Sequence, residues 1–155
     1  MRGGGAACAE EEDMGKKMEL LRQIFGYQSF REGQERLVDA ALAGRDALGI
    51  MPTGAGKSIC YQLPALLLPG ITLVVSPLIS LMRDQVRALV QNGVRAAYLN
   101  SSLNARQYQR ALQNARQGMY KLIYVAPERL LTEQFLSFAR EAEISMLTVD
   151  EAHCV

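Results

Sequence analysis

The chain has 155 residues, with 17 Lys or Arg against 16 Asp or Glu and a formal net charge of +1. Hydrophobic residues at 49% and charged residues at 21% match an ordinary globular domain, long enough to bury a core, and exclude a disordered charged tail. No apolar run reaches the roughly 18 residues that a membrane span needs, and the longest, "LPALLLPG", is interrupted by proline.

The opening "MRGGGAACAEEEDMGKK" has no apolar stretch of the kind a secretory signal carries. Cys8, Cys60 and Cys154 are far apart, odd in number and form no CxxC pair. That argues against a disulfide framework and a zinc site and fits a reducing, cytoplasmic setting.

In chain order, residues 1–15 are Gly/Ala-rich, then acidic, and without periodicity, so they are expected to form a flexible N-terminal tail ahead of one lobe over 16–155. "GKKMELLRQIFG" reads as a short helix, with Met18, Leu21 and Phe25 at helical spacing and Gly26 as its stop. "YQSFREGQERLVDAALAG" follows, with Phe30, Leu37, Ala41 and Leu42 on one stripe and Gly44 past its end.

The rhythm then changes to short apolar strands separated by helices. Strands are expected at "DALGIM" (46–51), "ITLVVS" (71–76), "VRAAYLN" (94–100), "YKLIYVA" (120–126) and "ISMLTVD" (144–150). Between them, "LISLMRDQVRALVQNG" places Met82, Val86, Leu89 and Val90 on one helical face, and "NARQYQRALQNARQG" is a helix with Asn104 as N-cap and Gly118 at its stop. A further helix runs from Arg129 to about Ala142. Val/Ile/Leu-rich strands alternating with helices make an α/β fold, a parallel sheet with helices on both faces. Ligands in such a sheet bind at the carboxyl ends of its strands.

Two motifs fall at those ends. "MPTGAGKS" follows one strand and opens a helix; a glycine-rich turn there converges backbone N–H groups on phosphate oxygens. Gly54 and Gly56 supply the backbone freedom, Lys57 a cation for the β/γ-phosphates of ATP, and Ser58 a hydroxyl for Mg²⁺. Met51 stands where the strict GxxxxGK[ST] pattern has its first glycine, which narrows the kind of P-loop. Asp150 and Glu151 close the last strand. An acidic pair alone is commonly a solvated loop, but at this edge Asp150 suits Mg²⁺, largely through water, and Glu151 suits activation of the attacking water. His153, the single histidine, suits a sensor of nucleotide state or a structural role. From Arg83 to Lys121 there are seven basic residues and one acid, Asp84, which reads either as a nucleic-acid footprint or as solvated helix faces.

Together, "MPTGAGKS" and "VDEAHC" resemble the superfamily-two helicases. "FGYQSFREGQ", "VVSPLISLMRDQV", "LNSS" and "YVAPERL", in the same order, narrow the resemblance to the RecQ family of ATP-dependent DNA helicases over about 17–155. Ala55 replaces the middle glycine of that family's "TGGGKS". The resemblance implies a RecA-like P-loop lobe using ATP and Mg²⁺, acting 3′-to-5′ on single-stranded and duplex DNA in recombination and repair, nucleoid-associated if bacterial. It implies a nucleotide site made by Tyr27 stacking on adenine, Arg31 and Gln34 hydrogen-bonding the base, and Thr53, Gly54, Ala55, Gly56, Lys57 and Ser58 around the phosphates. Asp150, Glu151 and His153 complete its chemistry. Ser76, Pro77, Leu78 and Ser80, extended by Asn100, Ser101 and Arg129, match blocks that meet the DNA backbone, where hydroxyls and N–H groups suit phosphates without reading sequence. That favours the footprint reading of the basic stretch.

The family's second lobe, which supplies arginine fingers worth roughly 10³ or more in rate, has no counterpart in these residues. The chain is therefore expected to be a first lobe truncated at its C-terminal end, binding Mg-nucleotide weakly and unwinding nothing unaided. Two other readings stand beside it. A P-loop kinase would need a lid and an acceptor pocket and would have no use for "DEAH". A non-catalytic nucleotide- or DNA-binding module would bind without turnover.

Overall fold

The computed structural model describes residues 5–52 and 56–154, and side chains over 11–52 and 56–153. The chain divides into two compact units, Met1–Leu67 and Leu68–Val155.

Among the described residues, the first unit holds three helices, α1 (Gly5–Gln23), α2 (Gln34–Leu42) and α3 (Ile59–Leu67). Of residues 1–15, expected to be a flexible tail, 1–4 lie outside the described residues and 5–15 are helical from Gly5. Alanine and glutamate are strong helix formers, and "AACAEEEDM" supplies them without any apolar stripe that periodicity would reveal. Leu21, Val38, Ile59 and Leu63 form this unit's core, with Met18, Phe25, Phe30 and Leu42 packed against it. The buried face of α2 is therefore centred on Gln34 and Val38 rather than on Leu37.

Lys17 fastens α1 to α2. Its buried ammonium lies 2.5 Å from Asp39 Oδ1 and 3.5 Å from Glu35 Oε1. Burial alone would lower its pKa, but the hydrogen bond and charge of Asp39, helped by Glu35, outweigh it and hold the group above its ordinary value.

The strand expected at 46–51 is not formed. A strand exists through its ladder, and these residues form none; Leu48 is 79% and Ile50 90% exposed. The segment instead leans on α2 at Gly49, where an added Cβ would meet Leu37 Cδ1 at 2.6 Å.

The second unit contains the other four expected strands, β1 (Ile71–Val75), β2 (Ala96–Leu99), β3 (Leu122–Val125) and β4 (Ile144–Val149), all parallel in the order β2-β3-β1-β4. Helices α4 (Ile79–Gln91), α5 (Ala105–Arg116) and α6 (Glu133–Glu141) connect them. The β1-to-β2 connection runs one way across the sheet and the next two run back. Right-handed crossovers then put α4 on one face and α5 and α6 on the other. Tyr108, Leu112 and Ala115 of α5 and Phe135 and Phe138 of α6 pack on Leu73, Leu99, Ile123 and Val125. Asn104 caps α5 as expected: its side chain accepts from the Gln107 N–H at 2.8 Å, and Gln107 Oε1 accepts from the Asn104 N–H at 3.0 Å.

Candidate functional site: a phosphate turn and an acidic strand edge

In the first unit, Lys57 and Ser58 sit at the start of α3. The Cys60 N–H donates to the Lys57 carbonyl at 3.1 Å, and the Gln62 N–H donates to the Ser58 carbonyl at 2.9 Å. The helix is thus wound from these two residues, and their side chains stand at its positive end. Thr53, Gly54 and Ala55 lie outside the described residues. Gly56 has φ +74°, a conformation that favours glycine, and a Cβ there would meet Gln34 Nε2 at 2.5 Å and displace that carboxamide.

Gln34 is only 2% exposed. Its Nε2 donates to the Gly56 carbonyl at 3.0 Å, and its Oε1 accepts from the Arg31 N–H at 2.7 Å. The residue matched to base recognition therefore ties the Gly-Lys-Ser turn to the segment ahead of α2. Beside it, the Arg31 guanidinium lies 5.9 Å from the centroid of the Tyr27 ring, which is 43% exposed. Aromatic and guanidinium together offer an open stacking surface.

In the second unit, all the remaining site residues stand at the carboxyl edge of the sheet. The ladders continue one residue past the strands. The Asp150 N–H donates to the Val75 carbonyl (2.9 Å), Ser76 N–H to Val125 (3.2 Å), and Ala126 N–H to Leu99 (3.0 Å). Asn100, Ala126, Ser76 and Asp150 therefore stand side by side, one per strand. At about 4.8 Å per strand the row is roughly 14 Å long.

Asp150 is half-buried and its Oδ1 accepts from the Glu151 N–H at 2.9 Å. Glu151 is the one non-glycine residue with positive φ among those described, at +54°. Such a conformation costs about 1–2 kcal/mol in an L-residue and concentrates at functional positions. Its Oε2 lies 3.5 Å from Nε2 of the exposed His153.

The residues expected to track a DNA strand divide into two groups. Ser76 and Asn100 are buried, 2% and 0% exposed. Ser76 Oγ accepts from the Leu78 N–H at 3.4 Å, while Asn100 Oδ1 accepts from the Ser102 N–H at 2.9 Å and the Ser102 hydroxyl at 2.5 Å. Their side chains shape the turns. Leu78, Ser80 and Ser101 are exposed, and Pro77 and Arg129 half-buried. Ser102, absent from the expected set, lies on the same turn.

In the basic stretch, Arg116 lies 3.6 Å from Glu141 and Lys121 donates to the Leu68 carbonyl at 2.5 Å, so both serve the fold. Arg83, Arg87, Arg95, Arg106 and Arg110 are exposed.

A parallel sheet with an acidic pair on its carboxyl edge, in a chain that also carries a Gly-Lys-Ser turn opening a helix, is the pattern of the RecA-like class of P-loop lobes. The chain matches the family described as DEAD/DEAH box helicase over residues 31–155, and it belongs to that family.

It is 50% identical over 138 residues to the ATP-dependent DNA helicase RecQ of Pasteurella multocida, covering 89% of this chain and 22% of that protein. To the protein of the same name in Bacillus subtilis it is 45% identical over 137 residues, 88% of this chain and 23% of that one. The chain thus spans about a quarter or less of these relatives' length. Its fold is that of a hypothetical ATP-dependent RNA helicase from Sulfolobus tokodaii, with a TM-score of 0.68 and 24% identity over 91% of this chain and 42% of that one.

Proposed function

We propose that the chain is the ATP-binding motor lobe of a RecQ-type 3′-to-5′ DNA helicase acting in recombination and repair. What carries this reading is the row of Asn100, Ala126, Ser76 and Asp150 along one sheet edge. In this reading nucleotide chemistry falls at the β4 end and the strand-binding track toward the β2 end of the same sheet. A change in the position of β4 relative to β1 on nucleotide turnover would be felt at Ser76 and beyond. Relatives of 45–50% identity bear the name ATP-dependent DNA helicase.

In this reading Tyr27 and Arg31 hold adenine, and Thr53 to Ser58 enclose the phosphates. Lys57 offsets charge on the β/γ-phosphates. Ser58 and Asp150 are hard oxygen donors of the kind Mg²⁺ takes, one hydroxyl and one carboxylate beside phosphate and water. Bound Mg²⁺ would polarise the phosphoryl group. Glu151, strained into position and half-buried, orients and deprotonates the attacking water, and His153 monitors the nucleotide through its contact with Glu151. Ser76 and Asn100 set the turns that present Leu78, Ser80, Ser101 and Arg129 to the DNA backbone. The motor is completed by a second lobe, and the setting is the cytoplasm, at the nucleoid in a bacterium. Among the described residues no helix is long and apolar enough to cross a membrane.

ATP turnover measured with and without single-stranded DNA tests the reading. A low rate that rises with DNA is expected. Turnover indifferent to DNA would point to another P-loop enzyme, and nucleotide or DNA binding without turnover to a non-catalytic module.

A further inference from the structure

Arg129 closes the short 3₁₀ turn Pro127–Arg129 after β3, at the carboxyl edge of the sheet. Its backbone is pinned at both ends. The Arg129 N–H donates to the Ala126 carbonyl at 3.0 Å, and its own carbonyl accepts from the Thr132 N–H at 3.2 Å and Thr132 Oγ1 at 2.8 Å. Its guanidinium carbon lies 4.9 Å from the centroid of the Tyr108 ring, and its buried Nε has no hydrogen-bond partner.

Tyr108 is 3% exposed, and its hydroxyl is likewise without a partner. The ring is placed by α5. The Asn104 cap fixes where the helix begins, the Tyr108 N–H donates to the Asn104 carbonyl at 2.9 Å, and Leu112 and Ala115 anchor the same face in the core.

We propose that Tyr108 is a positioning residue for DNA binding: its buried ring holds the Arg129 guanidinium in place to meet a strand phosphate. This rests on the reading of Arg129 as part of the DNA track. The choice of an aromatic has a physical logic. A carboxylate would orient an arginine just as well but would cancel the charge a phosphate needs. A ring face orients the planar guanidinium and leaves its charge and its edge donors available. The unpartnered hydroxyl indicates that the ring, not the phenol, does the holding.

The test is fluorescence anisotropy of a labelled oligothymidylate with the whole chain, over a range of salt, alongside melting temperatures. Arg129→Ala is expected to weaken binding and to lower the salt slope by about 0.7, one phosphate contact on a single strand. Tyr108→Leu and Tyr108→Met should weaken binding about 3- to 10-fold, with the same loss of slope and no further effect in the Arg129→Ala background. Tyr108→Phe should bind as wild type. Leu112→Ala, destabilised on the same helix face, should keep wild-type affinity once folded, which separates positioning from general loosening.

If the wild type does not bind the strand, or Arg129→Ala binds it normally, the DNA reading of Arg129 falls and the proposal with it. If Arg129→Ala is weakened but Tyr108→Leu and Tyr108→Met are not, the proposal alone falls. Equal weakening by Tyr108→Phe would assign the effect to the hydroxyl and overturn the role of the ring.

Discussion

Gly56→Ala tests how the Gly-Lys-Ser turn is built. Two costs add. The residue sits at φ +74°, which costs an L-residue about 1–2 kcal/mol. The new Cβ would lie 2.5 Å from Gln34 Nε2, so the carboxamide must leave. Its departure breaks the bond to the Gly56 carbonyl (3.0 Å) and the bond from the Arg31 N–H (2.7 Å), each worth about 0.5–1.5 kcal/mol net. The sum is about 2–5 kcal/mol against the observed turn, or a loss of at least about 30-fold in nucleotide affinity at roughly 1.4 kcal/mol per decade. Titration with a fluorescent ATP analogue reads it directly. Gln34→Ala removes the clashing group, so Gln34→Ala/Gly56→Ala should lose less than the two single losses combined, by about 1–2 kcal/mol. Strict additivity, or Gly56→Ala binding like wild type, would refute the account of Gln34 as the clamp on the turn.

Other outcomes follow from the same geometry. Because Lys17 titrates above its ordinary value in the folded chain, its contribution is complete below the usual lysine range and disappears as pH rises through the raised value. Stability measured by denaturant unfolding should therefore fall at strongly alkaline pH. Asp39→Asn should cost about 2 kcal/mol at neutral pH, less than a fully buried pair because Asp39 itself is half in water. Glu151→Gly relieves the strain at φ +54°, and after the extra chain entropy of glycine it should raise stability by about 0.5–1 kcal/mol while abolishing ATP turnover. Asn104→Ala removes the capping box and should lower stability by about 1 kcal/mol by thermal unfolding.

What could be read from residue types alone is uneven, and the unevenness has causes. Strands β1 and β3 are apolar runs rich in Val, Ile and Leu and buried along their whole length, and such parallel strands need little else to declare themselves, whereas β2 and β4 are more mixed and only partly buried. The α5 cap was equally plain, because Asn104 and Gln107 act across a single turn. The segment 46–51 has the same texture as the strands, but a ladder is made by a partner that its own letters do not contain. Helical Gly5–Gln23 was hidden for the opposite reason, since propensity without an apolar stripe leaves no period to detect.

At the site, motif letters located Lys57, Ser58, Asp150 and Glu151 at an element start or end, where they also stand in the structure. They did not distinguish side chains that face outward from those that brace a turn, as Asn100 and Ser76 do, because exposure is a property of packing. Tyr108 lies four residues after a cap with Leu112 and Ala115 on its face, the signature of a core residue; its contact with Arg129 spans 21 positions and has no local signal.

The proposed function requires that Lys57 and Asp150 each contribute to binding magnesium–nucleotide. Calorimetric titration of ATP with Mg²⁺ into wild type, Lys57→Ala and Asp150→Ala tests it most directly. Each single change should weaken binding about tenfold or more. Either variant binding Mg-ATP like wild type would contradict it.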